Sequence, residues 1–326
     1  MIWVGIDVDA KQLVCQRLKN NRRAKKTFSN DPNGHKQLLA WSTEAGYRTR
    51  VCMEATGVYS FLVASTLHEH EEVEVSVVNP RLIKNFAHAW LQRGKTDKMD
   101  ARTILEYLLR MPFEAWQPPE GKLLELQLLS RRVLQLTTEL RREKSRRHAA
   151  LRMGRHGEFL VNDLEVNIRH IQRRIDVIEQ KMVELVEEED RLTRRLEQLR
   201  SIKGIAKKSG PRILAELASL PEDMTARQWV AYAGLDPKPY ESGSLVKPRR
   251  ISKQGNRYLR DSMYLPSLSA SHTDEHVSAY YQALIKRGKK PKQAIVAVMR
   301  KLLLAIWGMF KSGEDWDGEK FYRIPS

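Results

Sequence analysis

Four carboxylates stand where a charge needs a reason. Asp7 lies in the apolar run Gly5-Ile6-Asp7-Val8, and Glu54 closes the hydrophobic stretch Val51-Cys52-Met53-Glu54 just before a turn. A buried carboxylate is costly unless it is paired or binds a cation. Asp97 and Asp100, within Lys95-Thr96-Asp97-Lys98-Met99-Asp100-Ala101-Arg102, are three apart and would share one helix face. Each has an ordinary alternative. A strand aspartate is often half of an ion pair, and Asp97 beside Thr96 reads equally as a helix N-cap with Asp100 in the favourable first turn. Taken together, in strand, strand and helix, the four are the parts of a two-metal phosphoryl-transfer site. Mg²⁺ is the expected occupant because it takes oxygen ligands and keeps waters free for substrate phosphates; Mn²⁺ is expected to substitute.

A second constellation is Tyr240-Glu241-Ser242-Gly243-Ser244. A Ser-Gly-Ser is by default a turn, but this one is surrounded by Lys238, Lys247, Arg249, Arg250, Lys253, Arg257 and Arg260. Such a loop can neutralise backbone phosphates and the extra charge of a pentacovalent phosphorus. Leu199–Ala206 resembles a helix–hairpin–helix phosphate clamp, although Lys203 stands where proline is common and Ala206 where a second glycine is. A plain helix–turn–helix packing unit is its alternative. Lys286, Arg287, Lys289, Lys290 and Lys292 form a further basic cluster, either a phosphate or RNA contact or a solvated loop. His272 and His276 are one helical turn apart but lack a third ligand, so zinc is not expected there.

The elements that must position these groups fall into three regions. Residues 1–119 alternate strands and helices: strands over 2–8, 11–18 and up to Phe28, a helix from 34 to 44 started by Asp31-Pro32-Asn33, a strand over 50–56, a helix over 58–70 and a strand over 73–79. Three strands in series followed by β-α-β spacing predict a mixed sheet with helices on its faces, the order of the ribonuclease H-like fold. In that fold the first and fourth strands are neighbours, which would set Asp7 beside Glu54.

Residues 120–200 carry apolar heptads, Leu126, Leu129, Val133, Leu136 and Leu140, then Leu164, Ile168, Ile171, Ile175, Ile178, Met182, Leu185, Leu192, Leu196 and Leu199, with only Glu189 breaking the series. They predict a coiled-coil hairpin turning at 153–157, its second arm roughly 55 Å long if continuous. Residues 201–326 predict short helices over 207–219, 225–233, 256–270, 274–287 and 291–311, with the serine-bearing loop between the second and third.

The bulk composition narrows the class. The chain has 326 residues and a formal net charge of +17, which points to a polyanion, nucleic acid before membrane. Basic residues outnumber acidic ones by 17 to 13 over 1–119, 18 to 15 over 120–200 and 22 to 12 over 201–326, so the last third is the expected main contact. The two cysteines cannot build a disulfide scaffold, which fits a reducing cytosol, and no apolar run is read as spanning a bilayer.

GIDVDAKQL, MEATGVY, VVNP and KTDKMDAR together resemble the DEDD transposases of the insertion-sequence one-ten family, which include Piv-type DNA invertases and bridge-RNA-guided recombinases, over essentially the whole chain. Their N-terminal domain is similar to the resolvase RuvC. The resemblance implies a DEDD tetrad of Asp7, Glu54, Asp97 and Asp100. It also implies Ser242 as a nucleophile that forms a phosphoserine link to DNA, in a protein of the bacterial cytosol. Because no histidine lies near Ser242, its activation is expected to come from the carboxylate domain. The expectation is therefore a recombinase acting on element ends and target DNA, with a guide RNA as a further partner. It would assemble as a dimer or tetramer through the coiled coil, with one protomer's carboxylates serving another's serine. The competing expectation is a RuvC-like nuclease that uses the tetrad and water alone.

Overall fold

A computed structural model describes residues 1–90, 101–238, 241–242, 245–246 and 250–324; at positions 58, 238, 241–242, 245–246 and 250 only the backbone is described. The chain divides into two units, Met1–Pro118 and Pro119–Ser326.

The first unit runs β1 (Ile2–Val8), β2 (Gln12–Lys19), β3 (Arg22–Ser29), α1 (Pro32–Ser42), β4 (Thr49–Glu54), α2 (Val58–His68), β5 (Val73–Val78), α3 (Pro80–Trp90) and α4 (Ala101–Arg110). Its sheet has the order β3-β2-β1-β4-β5, with β2 and β3 antiparallel and β4 and β5 parallel to their neighbours. The expected start signal of α1 is present: Asp31 Oδ1 accepts from Gly34 N at 2.8 Å and Pro32 occupies the first turn.

Alternation along the strands splits the unit into two layers. Ile2, Val4, Ile6, Val51 and Met53 pack with Leu38 of α1 and Val63 and Leu67 of α2. On the other face Cys52 and Val78 pack with Ile83 of α3 and Ile104 and Leu108 of α4. Sequence periodicity did not foretell α3, because Pro80 reads as the end of a strand although it is equally suited to a helix's first turn.

The second unit opens with two long helices, α5 (Gly121–Leu151) and α6 (Glu158–Glu187), joined by a 3₁₀ turn at Gly154–Gly157. They run antiparallel, since Lys122 pairs with Glu188 at 2.8 Å near one end and Arg147 with Glu165 at 2.7 Å near the other. The apolar heptads face inward: Leu126, Val133, Leu136, Ile171, Ile175 and Met182 are buried within one chain, each contributing about 1.5–3 kcal/mol of transfer free energy. The second arm is not continuous. Glu189 leaves the helical region at φ −138°, and α7 (Asp190–Ser201) starts afresh.

Then follow α8 (Ser209–Leu217), α9 (Ala226–Tyr232), four two-residue strands β6 (Pro237–Lys238), β7 (Glu241–Ser242), β8 (Leu245–Val246) and β9 (Arg250–Ile251), and α10 (Arg257–Thr273), α11 (Glu275–Lys286), α12 (Pro291–Ser312) and α13 (Gly318–Phe321). One apolar core runs from Leu123 of α5 through α7 and α8 to Phe321, so the helical stretch 120–200 shares its core with 201–326. α12 does reach membrane-spanning length, with mean hydropathy 1.5 over its most apolar stretch. Ile295, Val298, Leu302 and Ile306 along it are buried in this core.

Candidate active site

β1 and β4 are parallel neighbours in the register Gly5↔Cys52 and Ile6↔Met53, so the next residues, Asp7 and Glu54, stand level. Both are half-buried. Asp7 shares its strand face with Gly5, and Glu54 with Cys52, two residues back in each case. That is the face covered by α3 and α4.

Gly5 explains how closely α4 lies there. A Cβ at position 5 would stand 2.4 Å from Leu105 N and 2.5 Å from Ala101 O, both backbone atoms. Only glycine lets the start of α4 rest on β1 two residues before Asp7. Ala101 follows Asp100 directly in sequence; Asp97 and Asp100 themselves lie outside the described residues.

The electrostatics fit a cation. Burial first, and the Asp7 charge second, push the Glu54 carboxyl above its usual range. Two carboxylates held level in a half-buried setting repel, and a divalent ion with oxygen ligands relieves both effects. Among the described residues no three metal-ligating side chains converge, so a closed cage would need Asp97 or Asp100. The nearby thiols are not candidates for chemistry. Burial pushes Cys52 up to about 12 and, with the Asp7 charge adding to it, pushes Cys15 far above its ordinary value. Glu106, the fully buried carboxyl among the described residues of this unit, is opposed by burial but held below its usual value by Arg23 and Arg110, which bind it. It braces α4 against β3.

In the second unit Ser242 lies in a two-strand ladder, opposite Leu245. Its stems are joined by β6 and β9, in the register Pro237↔Ile251. Lys247 and Arg249 lie outside the described residues, and of Lys238 and Arg250 only the backbone is described. Lys253 and Arg257 are exposed, Lys253 in the left-handed region at φ +54° and Arg257 5.5 Å above the Tyr258 ring.

Arg260, read from the charge pattern as a phosphate contact, is half-buried and also braces the base of the loop. Its Nη1 donates to Ala233 O at 2.8 Å and Gly255 O at 3.2 Å. Carbonyls left over at a loop base attract a guanidinium more reliably than solvent does.

Lys203, Lys289 and Lys290 are exposed, as a phosphate contact requires. The turn between α7 and α8 has Gly204 at φ +110°, where a side chain would meet the Ala270 backbone at 2.5 Å. Ala206 N is taken by Ser209 Oγ at 2.9 Å, and Lys208 turns away to Asp176 and Glu179, 2.8 Å from each. His276 is structural, its Nδ1 2.9 Å from Tyr322 O.

A five-stranded mixed sheet with helices on both faces and two level carboxylates on its central strands fits the ribonuclease H-like α/β class, here followed by a helical region. Two transposase profiles match the chain: that of the IS110 DEDD transposases over residues 4–154, and that of the transposase IS116/IS110/IS902 family over residues 196–282. The pilin gene-inverting proteins of Moraxella bovis and Moraxella lacunata are each 28% identical over 323 residues, 97% of this chain and 97% of theirs. An IS110 insertion-element protein of 43.6 kDa from Streptomyces coelicolor is 26% identical over 115 residues, 35% of this chain and 28% of its own. The chain belongs to the IS110 family of DEDD transposases and is a DNA recombination enzyme.

Proposed function

We propose that the enzyme cuts and rejoins DNA by transesterification, with Asp7, Glu54, Asp97 and Asp100 as the metal-binding tetrad and Ser242 as nucleophile. The observation that carries this reading is the level pair Asp7 and Glu54, on the face where α4 begins one residue after Asp100. Bound Mg²⁺, or Mn²⁺ in its place, would neutralise phosphate charge and favour the ionised form of an oxygen nucleophile.

The chain's own groups do the rest. The Ser242 Oγ–phosphorus bond forms as the bond from phosphorus to a deoxyribose oxygen breaks, and the proton lost by the serine passes to the departing hydroxyl. The phosphodiester energy stays in the phosphoserine link, so a hydroxyl of another strand can reverse the step without ATP. Lys238, Lys247, Arg249, Arg250, Lys253 and Arg257 hold the strand's phosphates. Rejoining is favoured over hydrolysis by the likeness to the Moraxella pilin gene-inverting proteins, since inverting a gene leaves no broken ends.

Element ends and target DNA are the substrates, and a guide RNA is the proposed further partner, contacted through Lys203, Lys289 and Lys290. The protein works in the bacterial cytosol as a dimer or tetramer assembled through the α5–α6 hairpin. Met153, Phe159 and Leu160 at the hairpin's end support that assembly: all three are exposed, Phe159 to 88%.

The second reading is a junction-cutting nuclease that uses the tetrad and water, for which the carboxylate pair alone suffices. Supercoiled DNA carrying the element ends, with and without RNA from the flanking region, separates the two. Strand exchange lost in Ser242→Ala and in Asp7→Ala supports recombination; full strand exchange by Ser242→Ala overturns the serine mechanism.

A further inference from the structure

Glu216, on α8, is 0% exposed, and a fully buried carboxylate is a rare thing to keep. Among the described residues, every side chain that binds its carboxylate is a donor. Arg131 Nε reaches Oε1 at 3.2 Å and Arg131 Nη2 reaches Oε2 at 3.2 Å, Gln127 Nε2 reaches Oε2 at 3.4 Å, and Asn256 Nδ2 reaches Oε2 at 2.6 Å. Gln127 and Arg131 come from α5 of the hairpin. Asn256 closes the loop that carries Ser242.

Asn256 is itself fully used. Its backbone N–H donates to Tyr232 O at 2.6 Å, its Nδ2 donates also to the Tyr232 hydroxyl at 2.8 Å, and its Oδ1 accepts from Tyr258 N and Leu259 N to cap α10. Tyr232 ends the helix from which the loop departs, so the side chain at the loop's last position binds the residue at its first. A second clasp lies beside it. Arg260 joins Ala233 O to Gly255 O, and Ser252 binds Asp236 through both its backbone N–H, at 2.8 Å, and its hydroxyl. Gly255 has no room for a side chain, since a Cβ would stand 2.2 Å from Tyr232 O.

We propose that Glu216 is a positioning residue of the strand-exchange reaction: through Asn256 it fixes the base of the serine loop to helix α5. The proposal rests on the reading of Ser242 as nucleophile. A buried ion pair is a poor source of stability compared with an apolar filling, but it admits one geometry and penalises others. A nucleophile needs that, because a misplacement on the order of 1 Å costs about 100-fold in rate. The carboxylate is required rather than an amide, because glutamine would turn an N–H onto one of four donors.

The test exploits that donor pattern in the full-length protein. Asn256→Asp keeps the acceptors that cap α10 and keeps the side chain's size, but sets an oxygen against Glu216. It is expected to slow covalent adduct formation at Ser242 by about 10- to 100-fold, leave DNA binding unchanged, and speed amide exchange at 234–236 and 250–256. Glu216→Gln alone is expected to slow it too. The double variant Glu216→Gln with Asn256→Asp restores a donor–acceptor pair across that contact but still sets an N–H against Arg131 and Gln127, so it is expected to stay slower than the original while losing less than the two single effects multiplied, a coupling typical of direct neighbours.

A folded Asn256→Asp with unchanged adduct yield and exchange overturns the proposal, as does a double variant whose loss equals the product of the two single losses. Should a single variant not fold, Arg131→Lys, which keeps the charge and loses the fork, gives the same reading. Ser242→Ala runs alongside. If it exchanges strands normally the serine reading fails, while amide exchange at the loop base still judges the anchor.

Discussion

Replacing Gly5 by alanine tests whether α4 must lie on β1 for the carboxylates to work. The new methyl would stand 2.4 Å from Leu105 N and 2.5 Å from Ala101 O, where ordinary contact begins at 3.4 Å, so the helix has to retreat by roughly the 1 Å difference. Overfilling a packed core by one carbon costs about 1–3 kcal/mol, and the upper end applies because both obstacles are backbone. Loss of glycine's freedom in the unfolded chain returns about 0.4–1 kcal/mol. The net of about 2–2.6 kcal/mol should lower the melting temperature of the first unit by roughly 8–10 °C. The larger effect is on activity: a shift on the order of 1 Å at the start of α4 should cut metal-dependent strand cleavage about 100-fold. Circular dichroism melts and a nicking assay on supercoiled DNA read the two effects. An alanine variant that melts and cuts like the original would refute the close docking.

Other outcomes follow from the same geometry. Burial and then Asp7 raise the Glu54 pKa, so its ionised form penalises the fold above the raised value, and the penalty fades as pH falls through that value toward the ordinary carboxylate range. Glu54→Gln should therefore stabilise the first unit at neutral pH, gain nothing at acid pH, and abolish cleavage; melts at the two pH values decide. Chelation by EDTA should stop strand cleavage, with added Mg²⁺ or Mn²⁺ restoring it, and undiminished cleavage in the chelator would exclude the metal. Met182→Ala, at a 0% exposed position between the hairpin arms, should cost about 2–5 kcal/mol in urea unfolding. Val177→Ala, 69% exposed, should stay within about 0.5 kcal/mol. Inactive Asp7→Ala and Ser242→Ala proteins, mixed, should regain strand exchange if protomers share an active site, and mixtures as inactive as their parts would deny that.

Much of the first unit could be read from strand alternation. Period-two alternation marked the strands, the ribonuclease H-like order made the first and fourth neighbours, and the register puts Asp7 and Glu54 level. Heptads likewise marked the residues that are buried in α5 and α6. They could not say what buries them, and the two arms cover each other within one chain. The break at Glu189 was visible as a lapse in the pattern, but a lapse does not tell a kink from a tolerated polar residue. The brace that Arg260 puts on two backbone carbonyls left no trace in the sequence, because local charge density cannot tell a phosphate contact from such a brace. Glu216 was missed altogether. A carboxylate in the apolar run Ile213-Leu214-Ala215-Glu216-Leu217 was the available signal, but its partners Arg131 and Asn256 are 85 and 40 residues away and leave no local trace.

The most direct measurement is peptide mapping of protein-linked DNA, recovered under denaturing conditions after reaction with supercoiled DNA carrying the element ends. The expected result is a nucleotide-bearing peptide modified at Ser242, absent from Asp7→Ala and Glu54→Gln reactions. Nicked DNA with no attached protein, or an adduct at any other residue, would contradict it.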